Sequence, residues 1–130
     1  MNKLFYIAFM LLLLASCSLT PQEKIIGKWT GTDHQGQTAS FIFYKDKKAE
    51  MIQGEYSTKG DAITWEIDDT KNPMYLDLIA TKVSEVRRLP LIFRFISDIK
   101  IELRMGDDMS VRAKAFSDTD KVNQIILMKQ

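Results

Sequence analysis

The side chains in this sequence that could do chemistry are few and far apart. Cys17 is the only cysteine and His34 the only histidine, so neither a two-histidine metal site nor a disulfide is open to the chain. For His34 to act as a base, the fold would have to bring a serine nucleophile and an orienting acid to it. Its surroundings, Thr32-Asp33-His34-Gln35-Gly36, have instead the composition of a solvated turn. The carboxylate pairs Asp107-Asp108 and Asp118/Asp120 offer oxygens to calcium. A calcium loop, however, needs five or more such ligands around a glycine at a set position, and that spacing is missing. Asp68, Asp69 and Asp77 could in principle pair as acid and base. The short cationic runs Lys45/Lys47/Lys48 and Arg87/Arg88 read as hairpin tips, each cation worth about 1 kcal/mol beside an anionic lipid surface. The expectation is a protein with no catalytic residue, no metal and no cofactor, and not an enzyme.

Cys17 is different, because of what precedes it. Lys3 is followed by an apolar run from Leu4 to Ala15, about 18 Å long as a helix against roughly 30 Å of bilayer hydrocarbon. That is too short to span and suits the apolar core of a signal peptide. The run ends Leu14-Ala15-Ser16-Cys17, which resembles the lipobox of bacterial lipoproteins. The resemblance implies cleavage before Cys17 and acylation of its thiol and new amino group. Several acyl chains give firm anchoring, at ~0.8 kcal/mol per buried methylene. With Ser18 rather than Asp next, it also implies an outer-membrane location, facing the periplasm.

The boundaries that follow are a leader over 1–16, a lipidated N-terminus and tether over 17–24, and one domain over 25–130. The tether Ser18 to Lys24 reaches about 25 Å at full extension, so the domain would sit close to the lipid. Thr20-Pro21-Gln22-Glu23 fits a capping box with proline at the first helical position, and predicts one helical turn. Without the leader the chain carries 17 basic and 17 acidic side chains. That balance argues against nucleic acid as a partner.

Beyond Gly27 the pattern is period-two alternation cut by turn residues, which predicts an all-β fold. The expected strands are Lys28–Thr32, Thr38–Tyr44, Ala49–Thr58 with a bend at Gly54, and Ala62–Asp68. They continue with Met74–Ala80, Leu91–Ile96, Ile99–Met105 and an edge-sealing Asn123–Lys129. Val83–Leu89 reads as a looser connection and Gly106–Lys121 as a long polar loop. Eight strands in sequence order suit an antiparallel up-and-down sheet, closed into a small barrel or split into a sandwich.

Three stretches add a resemblance. Gly27-Lys28-Trp29 resembles the glycine–any–tryptophan signature on the first strand of lipocalins. Lys71 to Leu78, with Pro73 and Asp77, and Arg112-Ala113-Lys114-Ala115-Phe116 are similar to two segments of a bacterial lipocalin-like family of undefined activity. The resemblance implies an eight-stranded barrel with structural roles for Gly27, Pro73, Asp77, Arg112 and Phe116. Asp77 would hold loop N–H groups beside Pro73. Trp29 would plug one end, with Lys129 standing where lipocalins have a stacking arginine. Ala113 departs from the family's proline.

Alternation nominates an inward set: Phe41, Phe43, Met51, Trp65 and Leu76, then Leu78, Phe93, Phe95, Ile101 and Leu103. An eight-stranded barrel is wide enough either to be filled by such side chains or to hold one small molecule. Two functional readings stay open. One is a lipid-anchored envelope protein that binds a small apolar or amphipathic ligand. The other is an interaction module with a filled core, meeting an envelope protein through Val83–Leu89 and Gly106–Lys121.

Overall fold

A computed structural model describes residues 18–33, 35–82 and 85–130; the leader, Cys17, His34 and Val83-Ser84 lie outside them. The described chain opens with one helical turn, α1 (Pro21–Lys24), capped where Glu23 N–H donates to Thr20 Oγ1 at 3.2 Å. Nine strands follow: β1 (Gly27–Thr32), β2 (Thr38–Phe43), β3 (Ala49–Gln53), β4 (Tyr56–Ser57) and β5 (Ile63–Asp68). The rest are β6 (Met74–Lys82), β7 (Glu85–Ser97), β8 (Lys100–Met105) and β9 (Gln124–Lys129). The protein is all-β.

All nine strands form one antiparallel sheet, in the order β4-β3-β2-β1-β9-β8-β7-β6-β5. The expected closed, eight-stranded barrel is thus corrected to a curled sheet with an open seam. The chain's two ends do meet, since β1 pairs with both β2 and β9. That puts β9 inside the sheet rather than on an edge. Gly31 permits this approach: a Cβ there would lie 1.9 Å from the Ile126 carbonyl oxygen.

The seam lies between β3–β4 and β5. At Gly54, where φ is +59°, the chain does not bend but turns back, so Tyr56 and Ser57 pair with Gln53 and Ile52. Buried Thr58 then takes both polar groups of Met51. Its N–H donates to Met51 O at 3.0 Å and its Oγ1 accepts from Met51 N–H at 2.8 Å. With that edge satisfied, β5 is not needed to complete it. The seam is stitched at one place alone among the described residues, the Lys48–Thr64 bridge with Trp65 N–H donating to Lys47 O at 2.9 Å.

Two further readings need correction. The stretch read as a loose connection from Val83 belongs, from Glu85, to β7, which pairs with β6 out to Lys82–Glu85. Its Glu85, Val86, Arg87 and Arg88 are exposed, because this hairpin runs past the core and alternation has nothing to report. Ile99, assigned inward by periodicity, sits in the β7–β8 turn at 55% exposure. The strand begins one residue later.

Trp29, Phe43, Trp65, Leu76, Phe93, Ile101 and Leu103 are sealed from solvent inside the curl, joined by Ile25, Leu91 and Leu127. Each such burial contributes roughly 1.5–3 kcal/mol. Both indoles also find acceptors where strands end. Trp29 Nε1 donates to Ile25 O at 2.7 Å and Trp65 Nε1 to Tyr44 O at 3.1 Å. This half of the curl is the closed end. It gathers α1, the β2–β3 turn, the β7–β8 turn and Lys129.

Candidate functional site

At the other half the interior is not filled. A cavity of about 680 Å³ opens beside the seam, walled by Phe41, Ala49 and Met51 on one side and Ile63, Leu78, Ala80 and Leu89 on the other. Its lining is mostly apolar. Tyr56, Thr58, Arg87 and the segment Asp108-Met109-Ser110 form its rim. Strand alternation positions these side chains: Ile63 pairs with Ala80, and Leu78 with both Trp65 and Leu89. The alanines at 49 and 80 leave space on the inner face that larger side chains fill at the closed end.

The rim carries both charges. Arg87 Nε is 2.9 Å from Glu85 Oε1 and faces water. Asp108 Oδ1 accepts from Ser110 N–H at 2.9 Å and Ser110 Oγ at 2.8 Å, and these bonds hold its carboxyl below the usual range. The arrangement can shelter an apolar body and hydrogen-bond a polar head. Among the described residues, no three of His, Cys, Asp and Glu cluster as metal ligands would.

Behind the cavity wall, the long polar segment from Gly106 crosses the outer face of β6, β7 and β8 as a strap. Beneath it lies a layer of ion pairs. Asp77 Oδ2 meets Arg88 Nη1 at 2.5 Å. Arg112 Nη1 lies 2.6 Å from Asp77 Oδ1 while giving its hydrogen bond to Leu91 O at 2.7 Å. Oδ1 therefore has charge contact rather than an aligned donor. Burial pushes the Asp77 carboxyl up, but the Arg112 and Arg88 guanidiniums outweigh it and hold it below the usual carboxylate range. Arg112 also stacks 3.9 Å from the Tyr75 ring. Further along, Arg94 Nη2 donates to buried Glu102 at 2.8 Å and lies 4.2 Å from the Phe116 ring, while Arg104 Nη2 meets Asp120 Oδ2 at 2.8 Å.

The ten residues nominated as inward therefore divide. Phe41, Met51 and Leu78 line the cavity. Phe43, Trp65, Leu76, Phe93, Ile101 and Leu103 are packed core, with Phe95 half-buried against it. Lys129 Nζ lies 5.5 Å from the Trp29 ring and donates to Lys24 O at 3.3 Å. Gly27 has φ +130°, and Pro73 sits in the β5–β6 turn with a cis Asn72–Pro73 bond. Asp77 is not a clasp for loop N–H groups beside Pro73; it pairs with Arg88 and Arg112 instead. Sequence reasoning missed Leu89, Arg87 and Met109 as cavity residues, since they fell in segments read as loops. Ala49, Ile63 and Ala80 were legible by alternation, but alanine gives no sign that it leaves a void. Comparison with protein-family models, curated proteins and solved structures found no match.

Proposed function

We propose that this chain is a non-enzymatic lipoprotein of the bacterial cell envelope, anchored through Cys17 in the outer membrane and facing the periplasm. Its lipocalin-like sheet binds one small apolar or amphipathic molecule. The observation that carries this reading is the apolar cavity of about 680 Å³ at an unstitched seam. That volume falls within the roughly 300–1,000 Å³ of small-molecule sites, which are mostly apolar with a few polar groups. On this reading Trp29, with Lys129 over it, closes the far end, and Tyr56, Thr58 and Arg87 meet the ligand's polar part. Native mass spectrometry and lipid extraction of protein taken from its own envelope test it. The expected result is an acylated Cys17 and a co-purifying apolar molecule. A ligand-free mass, with no thermal shift from added fatty acids, would count against it.

A second reading draws on the rim itself. Tyr56 and Met109 are each more than half exposed there, as side chains awaiting a protein partner would be. In-cell crosslinking from Met109 would then recover one dominant envelope protein. It would be lost when the strap's tip is replaced.

A further inference from the structure

The closed end carries a feature that ligand binding does not use. Leu19, Ile96, Ile99 and Met128 are 59%, 49%, 55% and 39% exposed. They come from three separate segments, yet they share one end of the sheet. Leu19 lines a groove with Lys24, Asp98 and Lys129, which sets it beside the β7–β8 turn that holds Ile99, with Ile96 at the end of β7. Lys129 N–H donates to Ile99 O at 2.8 Å, and Met128 pairs with Lys100. At this end stand Lys24, Lys28, Lys100 and Lys129, with Lys45, Lys47 and Lys48 of the β2–β3 turn, against Glu23, Asp46 and Asp98. Lys24 is already spanned to Asp98 at 3.1 Å.

We infer that this end is a membrane-contact face, seated in the headgroup layer of the bilayer that holds Cys17. The inference rests on the lipid-anchor reading above. Apolar side chains ringed by lysines match an interface whose outer layer is anionic and whose inner layer is hydrocarbon. Chain length agrees with it. Cys17 precedes Leu19 by two residues, about 7 Å of extended chain, so a thiol held in lipid brings this end to the surface and no other. From Ser97 at this end, β7 leads back ten residues to Arg87 at the rim, which puts the cavity mouth roughly 25 Å out at ~3.3 Å per residue on a tilted strand. The domain stands upright, and its ligand exchanges with the aqueous side rather than with the membrane beneath it.

Tryptophan scanning of the full, natively processed chain tests this. The two native indoles are buried and give a constant background, so the added Trp is read as the difference from the parent chain. Ile99→Trp and, as a second variant, Ile96→Trp are reconstituted into phosphatidylethanolamine–phosphatidylglycerol vesicles with brominated acyl chains. Tyr56→Trp marks the mouth. The expected result is blue-shifted emission with at least twofold quenching at 99 and 96, and neither change at 56 or in the parent chain. Unquenched, water-exposed emission at both 99 and 96 overturns the inference, as does quenching at 56 alone. The mass of the Cys17 peptide, measured on the same sample, separately decides the anchor. An acylated cysteine with unquenched Ile99→Trp sinks the contact face and leaves the anchor standing. An unmodified cysteine with quenched Ile99→Trp does the reverse.

Discussion

The two halves of the interior are built from the same alternating strands and end in opposite states. At the closed end Trp29, Phe43, Trp65 and Phe93 exclude water completely, and both indole N–H groups cap loose carbonyls. Toward the mouth the corresponding faces carry Ile63, Ala80 and half-buried Met51, and about 680 Å³ is left over. Side-chain volume, rung by rung, decides whether a curled sheet is a core or a container. Backbone chemistry repeats the contrast. Trp65 stitches the seam with its own N–H, whereas Thr58 removes the need for a stitch at Met51.

Mutations should separate these halves. Phe93→Ala, in the packed end, is expected to cost about 4 kcal/mol, read from the urea midpoint at constant m-value. A loss below about 1 kcal/mol would mean the closed end is looser than its burial suggests.

Asp77→Ala is expected to cost about 2 kcal/mol, because it leaves Arg112 facing the strand without a counter-charge. This effect has a pH signature. The Asp77 carboxyl is depressed in the folded state, so its contribution is fully present above its unfolded value near 3.8 and is lost as pH falls through the lower folded value. Stability differences between wild type and Asp77→Asn should therefore narrow below about pH 4. A difference unchanged down to pH 2 would remove Asp77 from the strap's attachment.

Met51→Ala should cost less than about 1 kcal/mol, since the side chain already borders empty space and its loss creates little new void. Its expected mark is on affinity for an apolar probe, measured by fluorescence titration. A cost like that of Phe93→Ala would show that the mouth half packs as tightly as the closed end.

Much of this contrast was legible in the sequence, for reasons specific to each segment. Ile63, Trp65 and Ile67 against Thr64, Glu66 and Asp68 mark β5 cleanly, because one face is core and the other water. The same rule failed in β7 near Arg87, where the hairpin leaves the core and neither face is buried. It failed again at Ile99, whose period matched a strand that begins only at Lys100. Gly54 announced a change of direction, but bend and reversal share one residue type, and the choice between them opened the barrel. Asp77 and Arg112 stood out by resemblance, but their pairing, and that of Arg88, Glu102 and Arg104, was unreadable. Outward charges look solvated until a loop is known to cover them.

Titration of the full chain with a long-chain fatty acid, run beside Ala80→Phe, tests the container most directly. Ala80 faces the cavity, so a phenyl ring there would occupy its space with little effect on the urea midpoint. The account predicts saturable binding of one molecule per chain, weakened at least tenfold by Ala80→Phe. Binding that fails to saturate, or that ignores the added ring, would contradict it.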